Sequence, residues 1–244
     1  MKRLPQAMWH RLGAARRALF RRGGGYRWIG STGLMLQRIG GGTTTLYQPR
    51  VGVDNQRAEP LRPTAARWKA ISPHLPTTGS ALDIGCSNGF FTFKLADHGL
   101  FSLGVDHSID TIATAQLLAV RNDATRVAFG RLQVTPQTVV ALPAVDVVLC
   151  LSVFHNLVRL QGLDSAKAIM RVLSSKTKRL MVFETGHANE DSTTWSQEMA
   201  SIGDPEKWVD DLLHEIGFMH VHQVGAFQAR HDSTHKRTLF VAEK

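Results

Sequence analysis

Two periodicities of apolar and polar positions alternate from about Leu61 to the C-terminus, whereas the preceding residues lack a core pattern. Short apolar runs suit strands that are covered on both faces, and longer stretches with apolar residues three or four apart are typical of amphipathic helices. The predicted strands are Ala81–Ile84, Phe101–Val105, Arg126–Leu132, Val145–Leu151, Arg179–Glu184, Phe218–Ala226 and Lys236–Ala242. The predicted helices are Thr64–His74, Phe90–His98, Ile109–Arg121, Leu163–Leu173 and Pro205–Ile216. This alternation predicts an α/β, Rossmann-like doubly wound sheet of seven strands whose last strand is antiparallel.

A glycine-bearing turn follows the first predicted strand and leads directly into a helix. It has the spacing Asp83-x-Gly85-x-x-x-Gly89. Glycines allow a sharp turn and a close approach of a ligand to backbone amides, while the helix N-terminus adds partial positive charge. Ser87 stands where the dinucleotide fingerprint Gly-x-Gly-x-x-Gly requires its second glycine, which disfavours a dehydrogenase.

Polar residues end two further predicted strands. Asp106 follows the second strand, 21 residues after Gly85, where a carboxylate can accept both hydroxyls of a ribose. Ser152, His155 and Asn156 follow the apolar strand Val145–Leu151. Because ligands of such sheets bind at the carboxyl ends of the strands, we expect these residues to surround one site.

With these three elements, the stretch from about Leu61 to Lys244 resembles a class I S-adenosylmethionine-dependent methyltransferase. The resemblance implies S-adenosylmethionine as cofactor, with Asp83, Gly85 and Gly89 around its methionine part and Asp106 at its ribose. The full set of cofactor-binding candidates is Asp83, Gly85, Cys86, Ser87, Asn88, Gly89, Asp106, His107, Arg131, Leu132, Leu151 and Ser152. Many relatives also carry an acid after the third strand that contacts adenine, and Phe129–Leu132 has none. Backbone groups around Arg131 and Leu132 are the alternative for that contact.

His155 and Glu184 are the candidate catalytic residues. If the acceptor is a hydroxyl, a base with a near-neutral pKa helps to remove its proton, and histidine suits this role. Glu184 ends the fifth predicted strand at the same sheet edge and could orient the acceptor. Packing or substrate binding is the alternative role for His155, and capping a loop is the alternative for Glu184. No carboxylate stands at ligand spacing beside the late histidines His214, His220 and His222, so we expect no metal site.

The predicted function is methylation of an oxygen on a small-molecule or glycan acceptor, with two alternatives left open. Ser152–His155 and Phe183–Thr185 are similar to bacterial enzymes that modify the wobble uridine of tRNA. Leu149–Val153 and Gly217–Phe218 are similar to RNA 5′-phosphate-capping methyltransferases. RNA is therefore one alternative acceptor. A non-catalytic binding protein with this fold is the other, since fold alone does not establish function.

Charge separates a basic, Gly-rich N-terminal extension, residues 1–53, from residues 54–244, which the resemblance identifies as a methyltransferase domain. The extension holds ten of the 29 basic side chains and no acidic one, so the remainder has 19 basic and 20 acidic residues. Met8, Leu12, Ala15 and Leu19 recur there at helical spacing. An RNA-contacting arm, a helix on an anionic membrane, an organelle transit peptide and a solvated extension remain the alternatives for this region.

The cysteine count and the apolar runs bear on the compartment. Two cysteines, Cys86 and Cys150, cannot build a disulfide framework, and this fits a reducing compartment such as the cytoplasm. The apolar runs are all shorter than the roughly 18 residues that a spanning helix requires. The expected location is therefore cytoplasmic, with membrane-peripheral or organelle-targeted alternatives that depend on residues 1–53.

Overall fold

The computed structural model describes residues 25–26, 38–39, 48–52, 63–187, 203–229 and 234–244. The chain divides into two compact units, Met1–Thr45 with Gln56–Ala58, and Leu46–Asn55 with Glu59–Lys244. In the first unit, Gly25–Tyr26 pairs antiparallel with Arg38–Ile39. The helix predicted around Met8 to Leu19 lies outside the described residues.

The second unit is built on a seven-stranded sheet. Its strands are β1 (Gly79–Ile84), β2 (Leu100–Asp106), β3 (Val127–Arg131), β4 (Val145–Leu151), β5 (Thr177–Glu184), β6 (His220–Gln228) and β7 (Lys236–Glu243). They lie in the order β3-β2-β1-β4-β5-β7-β6. Strands β1 to β5 are parallel, and β7 runs antiparallel to both β5 and β6. The predicted fold is thereby confirmed.

Six helices of this unit are described: α1 (Thr64–Ile71), α2 (Phe90–Asp97), α3 (Ile109–Arg121), α4 (Phe154–Gln161), α5 (Leu163–Lys176) and α6 (Pro205–Glu215). Helix α4 was not among the sequence predictions. It is only eight residues long and begins two residues after Ser152, and no described side chain caps its first turn. The usual start signal of a helix, an N-cap side chain, is therefore missing at this point.

The central strands are apolar because both sheet faces are covered. Along β4, Val148 and Cys150 belong to one buried cluster, and Val147 and Leu149 belong to the other. Successive side chains of a strand point to opposite faces, so a continuous apolar run fills both clusters. Strands β1, β2 and β4 are parallel neighbours, so their carboxyl ends meet at one edge of the sheet.

Candidate cofactor and acceptor site

The turn between β1 and α2 closes over the end of β2. The backbone N–H groups of Gly85 and Cys86 both donate to the Val105 carbonyl, at 2.8 and 3.0 Å. Gly85 and Gly89 have φ values of +69° and +86°. A Cβ on Gly89 would lie 2.6 Å from the Phe129 ring, and this contact together with the left-handed backbone requires glycine. The predicted role of the glycine spacing in making a sharp turn therefore has a geometric basis.

Asp106 is held by this turn and by the start of α3. Its Oδ2 accepts from Ser87 N at 3.0 Å, and its Oδ1 accepts from Ser108 N at 2.9 Å. His107 Nδ1 lies 3.3 Å from Oδ1. A carboxylate has about four acceptor positions, so two backbone amides fix its orientation and leave further lone pairs for a ligand. Ser108 also caps α3, because its side chain accepts from Thr111 N.

A cleft of about 540 Å³ runs along the carboxyl ends of the strands. Its walls come from the turn after β1, the end of β2 with the start of α3, the segment after β3, and α4. Half of the predicted cofactor residues line it, namely Gly85, Ser87, Asp106, His107, Leu132 and Ser152. This volume is in the range of small-molecule and cofactor sites.

Other residues that line the cleft were not among the predicted site residues. They include Ser108, Thr111, Gln133, Arg159 and Gln161, whereas Asn156, which was expected at this sheet edge, does line the cleft. A serine just before a helix is a recognisable N-cap, so Ser108 could have been found from sequence. Gln133 and Gln161 lie near the position where many relatives carry an acid. Gln161 Nε2 donates to the Val134 carbonyl at 2.9 Å, which joins the end of α4 to the segment after β3.

Asp83 and Cys86 lie beneath the turn and outside the cleft lining. Asp83 is 3% exposed, and its Oδ2 accepts from Thr92 Oγ1 at 2.7 Å. Burial raises the pKa of Asp83 to about 7. Burial, with the nearby Asp83 charge second, also raises the pKa of the Cys86 thiol above its usual range. Asp83 thus stabilises the turn from below, and the Cys86 thiol is protonated.

Four more predicted cofactor residues also lie outside the cleft lining: Asn88, Gly89, Arg131 and Leu151. Gly89 precedes α2, and Asn88 donates to the Gln48 carbonyl at 3.3 Å. Arg131 is exposed, and its Nε donates to the His107 carbonyl at 3.1 Å. Leu151 is buried in the core. In this structure these residues shape the site through backbone and packing contacts.

His155 is buried between α4 and the segment that follows β5. It is 3% exposed and lies outside the cleft lining. Gly186 N donates to its Nδ1 at 2.9 Å, and its Nε2 lies 3.2 Å from the Asn156 amide. Both ring nitrogens therefore have protein partners, and the neighbour Asn156 is the one that lines the cleft. A catalytic role for His155 stays a prediction.

Glu184 is buried at the end of β5, also outside the cleft lining. Arg67 Nη2 of α1 lies 2.8 Å from its Oε1, and these side chains are 2% and 1% exposed. Ser152 Oγ donates to the same Oε1, and Ser152 N donates to the Glu184 carbonyl at 2.7 Å. Ser152 has a φ of +61°. Glu184 thus holds a left-handed residue that lines the cleft.

This geometry fits a nucleoside-bearing cofactor with an amino-acid tail. The carboxylate of Asp106 suits a ribose diol, and the two glycines allow a ligand to approach the turn. Apolar side chains of Leu132, Val134 and Leu157 also line the cleft and offer a surface on which a flat base can pack.

Comparisons with known proteins agree with this fit. Residues 82–177 match the model of a family described as Methyltransferase domain. The Escherichia coli O-antigen chain terminator bifunctional methyltransferase/kinase WbdD is 32% identical over 132 residues, 52% of this chain and 18% of that protein. The chain thus spans about a fifth of the length of this curated relative.

Solved structures share the fold. A crystal structure of WbdD has a TM-score of 0.68 at 24% identity, covering 81% of this chain and 44% of that chain. Magnesium protoporphyrin IX methyltransferase from Synechocystis PCC 6803 with bound S-adenosylmethionine has a TM-score of 0.55 at 19% identity, covering 74% and 76%. Residues 82–177 thus match a methyltransferase domain, the whole sheet has the fold of these S-adenosylmethionine-dependent enzymes, and both findings support S-adenosylmethionine as the cofactor.

Proposed function

We propose that this methyltransferase methylates an oxygen of a small-molecule or glycan acceptor. The observation that carries the proposal is the composition of the cleft, whose lining includes the neutral polar residues Ser152 and Asn156 in addition to Asp106. Neutral hydrogen-bonding groups of this kind suit a polyhydroxylated acceptor. Support also comes from the relative WbdD, which is named for an O-antigen, and from the near-neutral charge of residues 54–244.

In this proposal the chain's own residues bind the cofactor, orient the acceptor and exclude water. When bound, S-adenosylmethionine supplies an activated methyl group on a positively charged sulfur. Gly85, Ser87 and Asp106 would hold it, and Ser152 and Asn156 would orient the acceptor oxygen beside it. Alignment of two reactants in a closed cleft is a large part of the acceleration in such transfers. In this proposal Glu184 and His155 act by positioning Ser152 and Asn156.

The cofactor half of the proposal is tested by calorimetric binding of S-adenosylhomocysteine. Asp106→Ala removes a charged acceptor, so binding should weaken about 10- to 100-fold. The matched control is Asp97→Ala, because Asp97 is 67% exposed at the end of α2 and should leave binding unchanged. Equal affinity of wild type and Asp106→Ala would contradict the assigned ribose contact.

The acceptor half is tested by incubating the protein with methyl-labelled cofactor and fractionated cell extract. Label in glycan or small-molecule fractions would support the proposal if it is present as a methyl ester or a methyl ether and not as an N-methyl group. Label confined to RNA would show that the acceptor is RNA and would contradict the proposal. Binding of the cofactor with no label in any fraction would favour the non-catalytic alternative.

A His155→Gln variant distinguishes a general-base role of His155 from a positioning role. A general base contributes about 10²- to 10⁴-fold, so its loss should lower kcat by that factor and remove the acidic limb of the pH-rate profile. A positioning role predicts a smaller loss of kcat with the shape of the pH profile retained. The measurement is kcat against pH with the acceptor found in the extract experiment.

RNA is the second candidate acceptor, because residues 1–53 hold ten basic side chains and no acidic one. Binding through several phosphates should weaken steeply as salt rises. A full-length variant with Arg16, Arg17, Arg21 and Arg22 changed to Gln should then lose RNA binding. Vesicles with anionic lipid are the parallel arm, and a loss confined to vesicles would favour peripheral membrane contact instead.

A further inference from the structure

Arg159 is a cationic side chain in the part of the cleft wall that α4 provides. It lies three residues after Asn156, and residues three apart on a helix are neighbours, so the two share one face of α4. Both line the cleft, together with Leu160. Arg159 is exposed, and no hydrogen bond or ion pair joins its guanidinium group to another residue in the described part of the chain. This guanidinium group is therefore available to a ligand in the cleft.

The other charged side chains of the cleft lining belong to its cofactor side. Asp106 is oriented by the backbone amides of Ser87 and Ser108, and His107 Nδ1 lies 3.3 Å from the Asp106 carboxylate. Among the described residues of the lining, Arg159 is thus the one permanent cation. A guanidinium group is planar, and its fork of N–H donors matches two oxygens of one carboxylate or phosphate. The lining therefore has a group that suits an anion, in addition to the carboxylate that suits a ribose.

The side chains predicted to act as a base lie outside this lining. His155 and Glu184 are both buried. Gly186 N donates to His155 Nδ1 at 2.9 Å, and Arg67 pairs with Glu184 at 2.8 Å. A hydroxyl acceptor loses a proton during the transfer and benefits from a base within reach of it. A carboxylate or phosphate oxygen has no proton to lose, so this arrangement suits an acceptor oxygen that is already an anion.

We propose that Arg159 binds an oxyanion of the acceptor, a carboxylate or a phosphate, and that one oxygen of this group receives the methyl group. The proposal rests on the proposed function, and it narrows the acceptor to small molecules or glycans that carry such a group. The anionic oxygen forms a bond to the methyl carbon, and the bond from that carbon to sulfur breaks with its electron pair left on sulfur. One negative charge on the oxyanion and the positive charge on sulfur disappear together, so no proton is transferred.

Anion-exchange separation of the cell extract before methylation tests the chemistry of the acceptor. Glycan and small-molecule fractions that the resin retains should take up label from the methyl-labelled cofactor, and unretained fractions should not. Pretreatment with phosphatase removes a phosphate monoester, and carbodiimide activation followed by borohydride reduction converts a carboxylate to an alcohol. Loss of labelling after one of these treatments identifies which of the two oxyanions is methylated. Labelling of unretained fractions, or labelling that survives both treatments, would overturn the proposal.

Variants of Arg159 test its part in binding. Arg159→Gln should raise the KM for the retained acceptor about 10- to 100-fold, because charge-assisted hydrogen bonds are lost. It should leave the calorimetric affinity for S-adenosylhomocysteine unchanged. Arg159→Lys keeps the charge without the planar fork, so its KM should rise less. The matched control is Arg121→Gln, because Arg121 is also exposed in the last turn of a helix, α3, but lies outside the cleft lining. This control should change neither quantity.

The remaining outcomes separate this proposal from the proposed function. An unchanged acceptor KM in Arg159→Gln would overturn the proposal, and so would equal rises in Arg159→Gln and Arg121→Gln. Equal weakening of the acceptor and of S-adenosylhomocysteine in Arg159→Gln would assign Arg159 to the cofactor or to the fold, and would also overturn it. A wild-type protein that binds S-adenosylhomocysteine but labels no fraction would instead refute the proposed function on which the proposal rests.

Discussion

The proposed cofactor half and the proposed acceptor half of the site hold their polar groups in different ways. On the cofactor side, Asp106 faces the cleft and is oriented by the backbone amides of Ser87 and Ser108. On the acceptor side, Glu184 and His155 are buried, and only their partners Ser152 and Asn156 line the cleft. The cofactor side therefore depends on backbone amides that fix one carboxylate, and the acceptor side depends on side-chain contacts among buried groups.

This difference means that the two halves should respond differently to substitution. Changes on the cofactor side should alter binding of the cofactor more than they alter folding when they replace a side chain in the cleft. Changes to the buried residues of the acceptor side should first alter the free energy of unfolding. The following experiments challenge that distinction, beginning with the largest expected effect.

Glu184→Ala should have the largest effect on stability. It leaves the Arg67 guanidinium buried without its carboxylate, and breaking a buried pair in this way costs about 3–5 kcal/mol. The double variant Arg67→Met/Glu184→Leu should recover most of this loss, because it removes both charges. Urea denaturation measures the free energy of unfolding for wild type, both single variants and the double variant.

The exposed pair of Arg171 and Glu215 provides the matched control for this experiment. Their side chains are 53% and 45% exposed, so Glu215→Ala should change stability far less than Glu184→Ala. Similar losses for the two carboxylates would show that the buried pair is not what stabilises the acceptor side.

Gly89→Ala should have the next largest effect. The φ of +86° disfavours alanine, and the new Cβ would lie 2.6 Å from the Phe129 ring, so we expect a loss of about 2–3 kcal/mol. Urea denaturation and S-adenosylhomocysteine binding are the two measurements. Gly130→Ala, at the residue after Phe129 in β3, is the control, since the nearest atom to its Cβ would be Val105 Cγ1 at 4.0 Å. Equal effects of the two substitutions would contradict the steric requirement at the turn.

Asp83→Asn should give the smallest of these effects, which appears only in how the free energy of unfolding depends on pH. Burial raises the pKa of Asp83 to about 7, so the folded state binds a proton more tightly than the unfolded state. The stabilisation is then complete below the unfolded pKa, declines as pH rises, and is lost above the folded pKa. Between about pH 5.5 and about pH 8.5 the wild type should lose about 2 kcal/mol relative to Asp83→Asn.

Urea denaturation at several pH values, with Asp97→Asn as an exposed control, checks this slope. Asparagine keeps an oxygen that can accept from Thr92 but has no proton to lose, so Asp83→Asn should lack the decline. A wild type and an Asp83→Asn variant with parallel stability curves would refute the raised pKa of Asp83. The result would also show that the turn does not depend on a neutral carboxyl beneath it.

Amino-acid sequence alone indicated the seven strands, the order of strands and helices, the glycine turn and the position of Asp106. These features are local, because apolar runs, glycine spacing and a polar residue at a strand end act over a few neighbouring residues. Helix α4 was missed although its buried Phe154, Leu157 and Val158 have helical spacing, because it is only eight residues long and has no N-cap side chain. The family resemblance added the identity of the cofactor to this local pattern.

Tertiary structure alone decided where Glu184 and His155 lie and which partners they have. No spacing in the chain relates Arg67 to Glu184, or Gln48 to Asn88, because those pairs form only when the sheet brings distant segments together. Burial likewise depends on the whole packing, and both side chains predicted to be catalytic are buried and hydrogen-bonded to neighbouring residues. The sequence determines the local turn that receives the cofactor, whereas long-range packing determines which side chains reach the cleft.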